Sequence, residues 1–176
     1  MSEQRWNVSL ASLLIVLAVI LRLLPHPANF APVTAIALFG GSVLPRKLAL
    51  WVPLLVMMLS DAFIGFYNMA PVIWACYAAI AFASNIFLRE FRVFRTIAAI
   101  LASSLFFFVV TNFAVWISSG MYVHTWFGLT KCYVLALPFF RNTLASDAIY
   151  TTALFGVFIA VRATTHRFVS LDPQKS

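Results

Sequence analysis

Apolar runs follow one another along almost the whole chain, at residues 8–24, 31–44, 48–66, 70–88, 95–117 and 143–161, with only short polar joints between them. Most approach the ~20 residues that a helix needs to cross hydrocarbon. Of the 176 residues 63% are hydrophobic and 10% charged, which leaves too little polar surface for a separate soluble domain. One all-α domain over 1–176 is therefore expected, an integral membrane bundle of six transmembrane helices. The second run is short, and bilayer thinning or shielding by its neighbours would have to accommodate it.

Residues 118–142, SSGMYVHTWFGLTKCYVLALPFFRN, break the pattern. Their apolar pieces are short and interrupted, so the spacing predicts a partly helical or re-entrant fifth outer loop. Such a segment persists at membrane depth only if protein or water covers its backbone. The first run, after Arg5, lacks a small-x-small cleavage site and reads as a retained span rather than a secretory signal.

The formal net charge of +7 does not point to nucleic acid, because the basic residues sit in clusters between apolar runs rather than along one exposed face. They read as topology signals. With six spans one side receives Arg5, Arg46, Lys47, Arg89, Arg92, Arg95, Arg162, Arg167 and Lys175, and the other Arg22, Lys131 and Arg141. Positive residues stay inside, so both termini are expected in the cytoplasm. The two cysteines, Cys76 and Cys132, have neither metal-ligand nor disulfide-framework spacing and read as small hydrophobes.

This topology collects on the outer side the polar residues that helix formation alone does not explain: Arg22, His26, Asn29, Asp61, Asn68, His124, Lys131, Arg141, Asn142 and Asp147. An ionisable group at membrane depth is costly unless paired or hydrated, which makes Asp61 a candidate for function. Thr143, Asp147, Tyr150 and Thr151 form a polar stripe on the sixth span that should face the interior or a cavity; Asp147 could equally pair with Arg22 or Arg141 to hold helices together. On the fifth span Ser104, Phe108, Asn112 and Trp116 recur every four residues and share a face. Asn112 beside Trp116 suits a flat, partly polar ligand, or the amide serves as glue between helices. Trp74 and Trp126 are expected as interfacial anchors. Ala75, Ala79 and Ala83 mark a close-packing face within the bundle or towards a partner. His26 and His124 have no carboxylate or thiol at a ligand spacing, so neither a metal nor another cofactor is expected. No nucleophile with a paired base is legible, and no enzyme activity is expected.

In LRLLPHPANFAPVTAIALFGG, residues 21–41, Pro25, Pro27 and Pro32 fix backbone angles and remove amide donors. The first helix must end there, and the joint becomes a stiff lid that presents His26 and Asn29 above Arg22.

The segments LLPHPANFAPVTAIALFGG, FFFVVTNFAVW and CYVLALPFFRNTLASDAIYTTALFG resemble an uncharacterised family of small bacterial membrane proteins assigned to transport, over nearly the whole chain. That family is similar to the substrate-binding S components of energy-coupling factor transporters. The resemblance implies a six-helix bundle in the bacterial cytoplasmic membrane, with an outer cavity capped by the first loop and by the loops after the third and fifth spans. It also implies capture of a vitamin-like molecule and release through a transmembrane scaffold and two ATPases. S components often carry Ala-x-x-x-Ala on the first span; here Ala11 and Ala18 are seven apart.

A substrate-binding membrane transport protein for a small amphipathic metabolite is the leading expectation, with Arg22, His26, Asn29, Asp61, Asn68, Asn112, Trp116, Lys131, Arg141, Asn142, Asp147 and Tyr150 around the ligand. Arg22, Lys131 and Arg141 outnumber Asp61 and Asp147 by one, which favours a ligand with an anionic group and an apolar body. The alternatives are a scaffold or assembly subunit whose polar face binds a partner helix, and an intramembrane enzyme using His26 with Asp61 or Asp147.

Overall fold

The computed structural model describes residues 3–90 and 92–170, with side chains for 4–90 and 92–161. Arg162, Arg167 and Lys175, part of the charge asymmetry above, lie outside the described side chains. Six helices run α1 Glu3–Leu23, α2 Val33–Val43, α3 Arg46–Ile64, α4 Ala70–Phe87, α5 Val93–Ser118 and α6 Trp126–Ser170. No strand occurs among the described residues.

Proline and glycine set most of the joints. Pro25 biases its predecessor away from helix just past the end of α1, Pro32 and Pro45 are the N-cap residues of α2 and α3, and Pro71 lies in the first turn of α4. Gly65, at φ 109°, ends α3 in a conformation that other residues rarely adopt.

Five helices are long and apolar enough to cross a membrane; α2 is not. With 11 residues it extends only about 16 Å, roughly half the hydrocarbon thickness. It lies instead at the centre, in contact with all five other helices. Val33 to Gly41 are all buried, which is why this segment is apolar on every side rather than along one stripe. The expectation of six transmembrane helices is thus corrected to five long helices around a short central one, which its neighbours shield.

The central helix is tied to its neighbours by polar as well as apolar contacts. Ser84 Oγ donates to the Leu38 carbonyl at 2.5 Å, and Asn85 Nδ2 donates to the carbonyls of Gly41 (2.8 Å) and Leu44 (3.2 Å). The Asn85 bonds satisfy acceptors that the end of a helix leaves open, and the Ser84 bond adds a second donor to a carbonyl within α2. Arg89 in turn donates to the Asn85 carbonyl and side-chain oxygen. On the other flank, the Phe39 ring meets Phe155 and Phe158 of α6 edge-on, at 5.2 and 5.4 Å. Ala11 and Ala18 of α1 are both buried in the same apolar cluster.

Residues 118–142 differ from expectation. Ser118 is the last residue of α5, a turn follows, and α6 begins at Trp126 and continues unbroken through Pro138. The predicted re-entrant loop is therefore mostly the first part of a 45-residue helix. Lys131 and Arg141 interrupt the apolar run, yet both point outward, so they do not break the helix. Cys132 Sγ donates to the Asn112 carbonyl (3.4 Å) and the Tyr133 hydroxyl to that of Val109 (2.8 Å), stitching this part to α5. Ala75, Ala79 and Ala83 are exposed on α4; its close approach to α2 uses Ala81 and Ser84 instead.

That approach requires Gly41. A Cβ there would lie 2.6 Å from both the Ala81 carbonyl oxygen and Ser84 Cβ, whereas one at Gly40 would meet only Leu44 Cδ1 at 3.7 Å. Gly41→Ala should therefore cost about 1–3 kcal/mol of stability in chemical denaturation of the detergent-solubilised protein. Gly40→Ala should be neutral or stabilise by up to ~1 kcal/mol through helix propensity. Equal effects would contradict the close α2–α4 contact.

Candidate functional site

At the end of the bundle that carries the α1–α2 loop, two buried carboxylates and a part-buried guanidinium come together. Asp61, in the last turn of α3, has no exposed surface, and its Oδ1 lies 2.7 Å from Arg22 Nη1 of α1. The same guanidinium nitrogen reaches the Ser60 hydroxyl. Trp74 Nε1 of α4 donates to Asp61 Oδ2 at 2.8 Å, so one carboxylate joins three helices. Trp74, expected as an interfacial anchor, is committed to this cluster.

The second carboxylate, Asp147 of α6, is 1% exposed. Ser104 of α5 donates to its Oδ2 at 2.6 Å, and the Thr34 hydroxyl of α2 also bonds it. Among the described residues it has no cationic partner within ion-pair distance. The sequence alternative in which Asp147 pairs with Arg22 or Arg141 is thus replaced: Arg22 is taken by Asp61, and Arg141 is exposed.

The α1–α2 loop closes over these groups. Phe30 N–H donates to the Pro27 carbonyl at 3.0 Å, and Asn29 between them adopts φ 60°, a left-handed turn conformation that Asn tolerates better than most residues. His26 Nε2 lies 3.1 Å from the Arg22 carbonyl and Nδ1 2.8 Å from that of Pro27, which fixes the ring against the end of α1. Two side chains of α6 hold the loop down: Asn142 Nδ2 donates to the Ala28 carbonyl (3.0 Å) and Ser146 Oγ to that of Ala31 (2.8 Å). Phe30 adds an edge-on contact to Tyr150, at 5.9 Å between ring centres.

Beneath the loop lies a cavity of about 150 Å³. Four of the residues singled out in the sequence, Arg22, His26, Asn29 and Asp147, line it together with Thr34, Tyr67, Tyr77, Phe107 and Thr143. Tyr77 and Phe107 stack on each other with ring centres 5.1 Å apart, forming an aromatic wall. Burial pushes the Tyr67 phenol above its ordinary pKa, with the Asp61 carboxylate adding to the shift and Arg22 opposing it.

Several expected residues lie elsewhere. Lys131, Arg141 and Asn68 are exposed and do not line the cavity. Asn112 Nδ2 donates to the Phe108 carbonyl of its own helix at 2.8 Å, and Trp116 Nε1 donates to the Val123 carbonyl at 3.1 Å. Asn112 is thus satisfied within α5, while Trp116 bonds the α5–α6 turn, where it also meets His124 edge-on at 5.4 Å; neither lines the cavity. Tyr150 lines a separate apolar groove between α1 and α6, and Asn142 acts by holding the loop. Because Lys131 and Arg141 are exposed and do not line the cavity, the surplus positive charge expected from the sequence does not gather there; Arg22 is paired to Asp61, and among the described residues Asp147 has no cationic partner within ion-pair distance. Sequence reading missed Tyr67, Tyr77, Thr34 and Phe107, since aromatic and hydroxyl residues within apolar runs resemble ordinary core or lipid-facing positions.

A bundle of six helices, five long and apolar enough to cross a membrane, with ionisable side chains gathered around a small hollow at one end, is the class that fold and site define. Residues 2–171 match a family of unknown function (DUF6580), and the chain belongs to that family. No curated protein and no solved structure matches the chain.

Arg22→Met should cost about 3–5 kcal/mol, because it leaves Asp61 buried without its cation. The double variant Arg22→Met/Asp61→Leu should recover much of that loss. Additive losses in a double-mutant cycle, read by thermal unfolding, would contradict direct pairing.

Proposed function

We propose that this protein is a substrate-binding membrane transport protein of the S-component type, which captures a small metabolite in the cavity beneath the α1–α2 loop. The observation that carries the reading is the convergence of Arg22, His26, Asn29, Tyr67, Tyr77 and Asp147 on one hollow under a strapped loop. A chain that merely needed to pack helices would gain little from burying a further carboxylate, Asp147, beside a hollow, since an ionisable group withdrawn from water costs free energy. Around a ligand the same groups give orientation and specificity.

In this reading the protein is a non-enzymatic, multi-pass component of the bacterial cytoplasmic membrane. The loop end faces outward and the end bearing Arg46, Lys47, Arg89, Arg92 and Arg95 faces the cytoplasm, by the positive-inside rule. Release would require the α1–α2 loop to part from Asn142 and Ser146, a small number of hydrogen bonds. A transmembrane scaffold and ATPases would drive that step. Ala11 and Ala18 are turned into the core, so such a scaffold would contact a different face of the bundle.

A scaffold role draws on a separate observation, the apolar grooves on the flanks, one of about 630 Å³ between α4 and α5 and one of about 420 Å³ between α1 and α6. Acyl chains would fill these grooves equally well, which leaves the cavity as the more specific feature.

Thermal unfolding of the purified protein against a library of water-soluble metabolites tests capture. A true ligand at 100 times its Kd should stabilise the fold by about 2.7 kcal/mol. Tyr77→Ala should abolish that stabilisation, while Lys131→Ala should leave it unchanged. If no metabolite stabilises the protein, and cavity substitutions leave a stoichiometric membrane complex intact, the scaffold reading replaces this one.

A further inference from the structure

Resting on the capture reading, we infer that the ligand presents a cationic or amino-substituted head of about the size of a single six-membered ring, and that Asp147 receives it.

Charge comes first. Arg22 and Asp61 neutralise each other at 2.7 Å, and Trp74 occupies the other Asp61 oxygen. Asp147 is buried to 1% exposure and, among the described residues, is met by the neutral hydroxyls of Ser104 and Thr34. An ionised carboxylate in such surroundings is unfavourable without a counter-charge, and among the described residues no side chain supplies one. A ligand bearing a positive charge, or N–H donors beside a ring nitrogen, completes the site. An anion would meet an uncompensated like charge.

Shape and surface point the same way. The cavity of about 150 Å³ matches the size of the roughly 150 Å³ engineered protein cavity that admits one benzene ring. The stacked Tyr77 and Phe107 rings form one wall, and Tyr67 stands near Arg22. An aromatic face attracts a flat cation through its quadrupole as well as by dispersion, and it gains nothing comparable from an anion. His26 and Asn29 line the same cavity from the loop.

The test uses the full chain in lipid nanodiscs and three ring probes of nearly equal size: benzamidinium (cation), benzyl alcohol (neutral) and benzoate (anion). Ligand-observed NMR, referenced to empty nanodiscs, ranks their binding. Benzamidinium should bind at least about tenfold more tightly than benzyl alcohol, as one charge-assisted hydrogen bond allows, with benzoate weakest. Asp147→Asn should remove the preference by weakening benzamidinium while changing benzyl alcohol little. The ranking on the unaltered protein decides the matter even if that variant fails to fold. Equal binding of the three, or a preference for benzoate, overturns the cationic class while leaving capture standing. Absence of binding by all three at ~10 mM, far above the millimolar range of weak fragment binding, overturns the ring-sized cationic site. Capture itself is judged separately, by the metabolite screen.

Discussion

The structure depends on how its buried ionic groups are compensated where water is scarce. Arg22 and Asp61 answer each other across α1 and α3, and the Trp74 indole secures the pair from α4. Such a pair adds modestly to stability by itself, because both charges must be stripped of water. Its consequence is positional. It sets the height of the α1 end against α3 and α4, and with it the place where the proline-rich loop turns over the bundle. Asp147 is held differently, by hydroxyls from two other helices, and borders the hollow.

The short central helix makes this arrangement possible. Because α2 is only 11 residues long, its first turn begins well inside the bundle, and the loop before it can fold down onto α6 instead of standing above the helix ends. Close contact of Gly41 with Ala81 and Ser84, and the bonds from Ser84 and Asn85 to the α2 carbonyls, anchor the opposite end of the same helix. Stability and the site are therefore built on one element.

Much of the architecture is legible from residue type. Continuous apolar runs bounded by proline, glycine and basic clusters give helices close to those observed, and the brevity of the second run already marks α2 as unusual. What fails is the segment around Lys131, Pro138 and Arg141. Two outward-pointing charges and a proline look like interruptions in one dimension, yet a helix accommodates all three when its remaining face is held by Tyr133 and Cys132. In the site, Arg22, His26, Asn29 and Asp147 stand out because polar groups are rare in such a chain. Asn112 and Trp116 stand out for the same reason but are satisfied by nearby carbonyls, a choice that spacing cannot distinguish from ligand binding. That Lys131 and Arg141 stay outside the hollow was not legible either, because spacing alone does not say which side of the helix faces it.

The central claim is that the loop end encloses a hydrated hollow bordered by Asp147 and by a paired Arg22. An experimental structure of the protein in a lipid nanodisc, at a resolution that shows ordered water, tests it most directly. The account predicts Arg22 against Asp61, the loop bonded to Asn142 and Ser146, and solvent or a bound small molecule beside Asp147. Apolar side chains filling that space, with Arg22 directed away from Asp61 and the loop detached from α6, would contradict it.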